Sequence, residues 1–151
     1  MREILFRAKQ LQRSVFDDSD WVEGSFIDSG NHSQVAIFPW VNGASTMGLR
    51  QLVNFRMVGV DPDTVGQYTG LTDKNGKRIF EGDIVDCWSE GVNAKGTVQQ
   101  RKDGLWFIYP GWQNTIMWGL CPDEYSHTTV EIIGNIHDNP ELLEGGAPDG
   151  V

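Results

Sequence analysis

Two cysteines, three histidines and no long apolar run occur in 151 residues, and each scarcity removes a class of function. Cys87 and Cys121 lie 34 positions apart, and neither has a Cys or His at zinc-ligand spacing. His127 and His137 are ten residues apart and His32 is remote from both, so no metal and no cofactor is expected. The two cysteines are expected to be small, buried, free thiols. No window approaches the roughly 18 apolar residues of a membrane span. Arg7 and Lys9 interrupt the opening Met1-Arg2-Glu3-Ile4-Leu5-Phe6, so no secretory signal is read there and a cytoplasmic location is expected. Without a signal, Asn31-His32-Ser33 is a chance glycosylation sequon.

Bases are scarce as well. Twelve Lys+Arg face 21 Asp+Glu, a net charge of −9. A globally cationic surface, which drives general nucleic-acid binding through phosphate neutralisation, is therefore excluded. A local patch survives this arithmetic, because Arg2, Arg7, Lys9 and Arg13 outnumber Glu3 at the start. An acidic decoy of DNA would need its carboxylates aligned on one face, which sequence does not display.

What is present in quantity is turn chemistry and aromatic surface: 18 glycines, 6 tryptophans, 7 phenylalanines and 3 tyrosines. Apolar segments alternate between turn signals about every 8–12 residues, the rhythm of a sandwich or small barrel. Strands are expected at Trp21 to Ile27 and Gln34 to Phe38, with Pro39 at an edge or strand end because it has no N–H to donate. Residues 42 to 51 read as a loop, and Leu52 to Val60 as a β-rich run. Residues 3–9 fit a helical stripe and a strand equally well. Asn75-Gly76 supplies the positive φ angles of a type I′ hairpin tip. Further strands are expected at Gly96 to Gln100, Leu105 to Tyr109 and Val130 to Ile136. Asn139-Pro140-Glu141-Leu142-Leu143 fits a short helix with Asn139 as N-cap.

The block Val60 to Val85, running through Gly66-Gln67-Tyr68-Thr69-Gly70-Leu71 and Ile79-Phe80-Glu81-Gly82-Asp83-Ile84, resembles the YopX family of phage and prophage proteins. Arg2-Glu3-Ile4 with Phe6-Arg7-Ala8, Trp21-Val22-Glu23-Gly24, Glu131-Ile132-Ile133-Gly134-Asn135-Ile136 and Asn139-Pro140-Glu141-Leu142 extend the resemblance over nearly the whole chain. It implies an origin in a phage or prophage, hence the cytoplasm of a bacterial host, and it favours a strand over a helix at residues 3–9. It brings no catalytic residues with it. Glu81 to Val85 also resembles the turn into the first strand of SH3-like barrels. The fold expected is mainly β, or α+β with little helix: an N-terminal β subdomain over 1–60, an SH3-like small barrel with a short terminal helix over 61–144, and a mobile tail over 145–151.

Three constellations carry candidate chemistry. Gly70 to Arg78 lacks the Walker A spacing and the following helix, so it is no phosphate loop. Glu81, Asp83 and Asp86 form an acidic cluster with no supporting His or nucleophile elbow; turn and strand positions account for it, and a hydrolase using Glu81 and Asp83 is the third-ranked reading. Trp88, Trp106, Phe107, Tyr109, Trp112 and Trp118 crowd the second half beside Lys95, Arg101 and Lys102. Trp106 and Ile108 alternate with Phe107 and Tyr109, so both faces of that strand are apolar, which fits core on one side and an interface on the other. The leading expectation is a non-enzymatic binding or assembly module that forms homo-oligomers and contacts a host or phage protein. The alternative is a nucleic-acid-binding surface. For either, Lys74, Lys77, Arg78, Arg101, Lys102, Trp106 and Trp112 are the residues singled out.

Overall fold

A computed structural model describes residues 3–12, 20–30, 35–39, 57–89, 92–109 and 118–144. The loop expected at 42–51, the start of the run at Leu52 and the tail at 145–151 lie outside the described residues. The chain divides into two compact units, Met1–Gln67 and Tyr68–Val151, and strands dominate both.

In the first unit, β1 (Phe6–Lys9), β2 (Trp21–Asp28), β3 (Val35–Pro39) and β4 (Val58–Val60) form an antiparallel sheet in the order β4-β3-β2-β1. Residues 3–9 thus contain a strand and no helix, and Pro39 stands at the strand end where its missing N–H is harmless. Alternation sends Ala8, Val35, Ile37 and Val60 inward, packed by Phe6, Val22, Phe26, Val58 and Val65. The Phe6 and Phe26 rings meet with centroids 5.3 Å apart.

The remaining edge of β1 is closed by the chain's own return. Leu11 N–H donates to Gly59 O at 3.0 Å and Asp61 N–H to Lys9 O at 2.9 Å, around a Gln10–Val60 bridge. Pro62–Thr64 then makes one 3-10 turn, which places the Thr64 hydroxyl to accept from Lys9 N–H at 2.8 Å and to donate to Asp61 O at 2.7 Å. The strand β5 (Gly66–Thr72) follows, and its first residues pair with β1 through Gly66–Arg7 and Gln67–Phe6. Residues 61–67 are therefore hydrogen-bonded into the first unit. For that reason the division falls after Gln67.

The second unit begins with the hairpin of β5 and β6 (Arg78–Phe80), paired through Tyr68–Phe80 and Thr72–Arg78. It continues into β7 (Asp83–Ser89), β8 (Val92–Gln100), β9 (Trp106–Tyr109), β10 (Trp118–Gly119) and β11 (Glu131–Asn135), a sheet ordered β10-β9-β8-β7-β11. Ile79, Val85, Cys87, Ala94, Val98, Trp106, Ile108, Leu120 and Val130 form its core, with Leu71 and Ile132 against it.

The hairpin tip differs in type from the Asn-Gly expectation. Gly76 has φ +80°, but Asn75 keeps a negative φ, so the turn is not type I′. The buried Asp73 carboxylate decides this: its Oδ1 accepts from both Asn75 and Lys77 N–H at 2.9 Å, and Gly76 N–H donates to Asp73 O at 3.0 Å. That is a three-residue loop ending in a left-handed glycine.

At the C-terminal end a single turn of helix, α1 (Glu141–Glu144), packs back on β11. The Asn139 side chain does not face forward into the helix as an N-cap would. Its Oδ1 accepts from Asn135 N–H at 3.3 Å. Gly134 makes room for this, since a Cβ there would lie 2.6 Å from Asn139 Oδ1 and 2.9 Å from Leu142 Cδ1.

Two substitutions test these closures. Thr64→Val keeps the shape and removes the acceptor of Lys9 N–H, and should lower stability by about 1–3 kcal/mol, read as an earlier urea midpoint at unchanged slope. Gly134→Ala should cost about 1–3 kcal/mol by overpacking and raise the hydrogen-exchange rates of the Asn139, Leu142 and Leu143 amides, while the β7–β8 amides stay protected.

Candidate interaction surface

The strand register sorts the second unit's residues by face. Val85 and Cys87 point into the core, so Ile84, Asp86 and Trp88 point to the opposite face, joined there by Asn93, Lys95, Thr97 and Gln99 of β8 and by Phe107 and Tyr109 of β9. Trp88 is 67% exposed and Tyr109 is 47% exposed. The Phe107 and Tyr109 rings meet edge to face with centroids 6.4 Å apart. At the other end of the face, Ile84 is fully buried opposite Gly134, the residue against which Leu142 packs. The open part of this face is thus aromatic at its margins and polar at its centre.

The basic residues singled out by sequence are largely engaged and are not gathered together. Lys74 Nζ sits 2.9 Å from Glu131 Oε2. Its hydrogen bond and charge interaction with Glu131 hold the ammonium above the usual lysine range. Arg101 pairs with Asp103 at 3.0 Å, and the Arg78 guanidinium lies 5.7 Å from the Tyr68 ring centroid. Lys77 and Lys102 are exposed. Lys74 N–H donates to Val130 O beside β11, whereas Arg101 and Lys102 lie on the β8–β9 turn, and β7 separates β11 from β8. Trp106 does not line a surface: it is 8% exposed in the core, and its Nε1–H is buried with no partner among the described residues. Its alternation with Phe107 left either face open, and burial of Ile108 settles which one is core. Trp112 lies outside the described residues.

The acidic cluster is also resolved. Asp83 is 1% exposed and its Oδ2 accepts from Phe80 N–H at 2.8 Å, which fastens the Glu81-Gly82 turn, with Gly82 at φ +90°. Asp86 stands in register between Lys95 and Glu131 on the outer face. Outside this cluster, Asp123 accepts from His127 and Tyr125 N–H. These bonds, with the His127 bond foremost, hold its carboxyl below the usual range.

Of the two thiols, only Cys87 is buried as expected. Cys121 is exposed. Burial, with the Asp86 charge adding to it, pushes the Cys87 thiol up to about 11. The expectation for both rested on the usual burial of free cysteine, which does not distinguish a position inside a strand, as Cys87 is, from one outside, as Cys121 is. An aromatic disulfide reagent at about pH 8 should therefore titrate Cys121 rapidly and reach Cys87 only after denaturation, since the thiolate is the nucleophile. A fast thiol persisting in Cys121→Ser would contradict this assignment.

Comparison with known families matches residues 6–144 to YopX, described as YopX protein. The chain belongs to the YopX family. The match covers both units, so the resemblance first read in the Val60 to Val85 block extends from β1 to α1. A comparison with curated proteins finds no match. Among the described residues no helix is long and apolar enough to cross a membrane, and no group of three or more His, Cys, Asp or Glu side chains is placed to hold a metal ion.

Proposed function

We propose that this YopX-family chain is a phage- or prophage-encoded, non-enzymatic binding or assembly module that works through protein–protein contacts in the bacterial cytoplasm. The observation that carries the reading is the aromatic outer face of the second unit, with Trp88 at 67% and Tyr109 at 47% exposure beside Phe107. Large, rigid aromatics displayed on a sheet are the residues that supply most binding energy when a partner desolvates them. The polar stretch formed by Asn93, Lys95 and Gln99 fits a recognition surface better than an aggregation-prone one. The first occupant proposed is a second copy of the chain.

The rival readings draw less support. A hydrolase using Glu81 and Asp83 would need a carboxylate open to substrate, and Asp83 is buried on the Phe80 amide. A nucleic-acid surface built from Lys74 and Arg101 would have to break their pairs with Glu131 and Asp103.

Sedimentation velocity over a range of protein concentrations tests the proposal. The wild type should associate reversibly, and Trp88→Ser with Tyr109→Ser should sediment as a monomer at every concentration while keeping the wild-type thermal midpoint. A wild type that stays monomeric throughout would remove the homo-oligomer.

A further inference from the structure

The first unit places two cations on one tryptophan. Arg7 and Lys9 are two apart on β1 and point away from the Phe6–Ala8 core face. Lys9 is in register with Trp21 and Arg7 with Glu23. The Arg7 guanidinium lies 4.9 Å from the Trp21 ring centroid and the Lys9 ammonium 5.6 Å from it. Phe38 and Ile27 share this outer face, Phe38 in register with Ser25, four residues along β2 from Trp21. The units also differ in charge: residues 1–67 carry 6 bases and 8 acids, and residues 68–151 carry 6 bases and 13 acids. The excess of acid that argues against nucleic acid thus resides mainly in the second unit.

We propose that the outer face of β1, β2 and β3 binds single-stranded nucleic acid, with Arg7 and Lys9 on the phosphates and Trp21 and Phe38 as stacking surfaces. Charge and shape choose this occupant. Cations two residues apart on a strand lie about 6.6 Å apart, a spacing that lets each meet a separate phosphate along an extended strand. A guanidinium laid against an indole adds a second planar surface on which a base stacks. A sheet with outward aromatics beside bases is a general way of holding unpaired strands without reading sequence. Glu23 opposite Arg7 limits affinity and disfavours a rigid duplex, whose phosphates would meet the carboxylate as well.

The test is fluorescence anisotropy of a labelled oligothymidylate of about a dozen nucleotides, titrated with the full chain from about 50 to 200 mM salt. Binding should weaken with salt at a slope of about −1.4 in log–log form, from two neutralised phosphates at about −0.7 each. Arg7→Gln with Lys9→Gln should weaken binding at least about tenfold and flatten the slope. Trp21→Leu should weaken it about tenfold at unchanged slope. Arg7→Lys with Lys9→Arg, which preserves both charges, should retain binding and guards against a folding defect. Trp88→Ser with Tyr109→Ser should leave binding intact, which keeps this test separate from the association of the second unit. No anisotropy change at the lowest salt, equal binding by the Gln variant, or equally effective competition by polyglutamate would each overturn the proposal, the last by making the face an acidic-peptide site.

Discussion

The Asp73 carboxylate, 1% exposed, accepts N–H groups from Asn75 and Lys77 through Oδ1 and from Ile132 through Oδ2. One side chain thereby closes the β5–β6 hairpin and fastens it to β11, although 59 residues separate Asp73 from Ile132. Lys74 N–H to Val130 O and Thr128 N–H to Thr72 O extend the same seam. A buried carboxylate is tolerable only when several donors satisfy it, and three backbone amides do so here. The core of the second unit, from Ile79 to Val130, depends on that attachment, because Ile79 and Leu71 reach it from the hairpin.

The same loop chemistry recurs at Asp123. Its Oδ1 accepts from Tyr125 and His127 N–H, and Asp123 N–H donates to His127 O, as Asp73 N–H does to Lys77 O. The residue in the left-handed position is Ser126, at φ +67°, where the first loop has Gly76. Arg101 to Leu105 repeats the backbone pattern with Gly104 at φ +94° and Asp103 as the side-chain acceptor. The two aspartate-led loops lie on either side of the Thr72–His127 bridge, where the Thr72 hydroxyl and His127 Nδ1 meet at 2.6 Å. The loops at Asp73–Lys77, Arg101–Leu105 and Asp123–His127 are therefore variants of one way of reversing the chain.

How far the fold was legible depended on the range of the interaction responsible. Asn75-Gly76 and the turn at Glu81 to Asp83 announced their reversals because left-handed φ and side-chain capping act within a few residues. The type of the first reversal was misread because the Asp73 carboxylate organises the loop, and its third bond comes from β11. The end of the first unit rests on contacts of the same long-range kind. Val60 to Gln67 reads as a turn followed by a strand, and only pairing with β1 assigns it to the first unit. At the candidate surface, alternation in β9 separated Trp106 with Ile108 from Phe107 with Tyr109. It could not rank the two faces, since both are apolar.

The sequence by itself determined a strand-rich chain, its family, most of its turns, and the separation of its aromatics into opposite faces, because these follow from local dihedral preference and a period of two. Tertiary structure decided which face is core, which cations are paired and where the first unit ends. Those outcomes rest on contacts between residues far apart in the chain. Trp106 is buried while Trp88 is exposed, Lys74 is tied to Glu131, and Lys9 takes Trp21 for its neighbour, each through a strand pairing that no local pattern encodes.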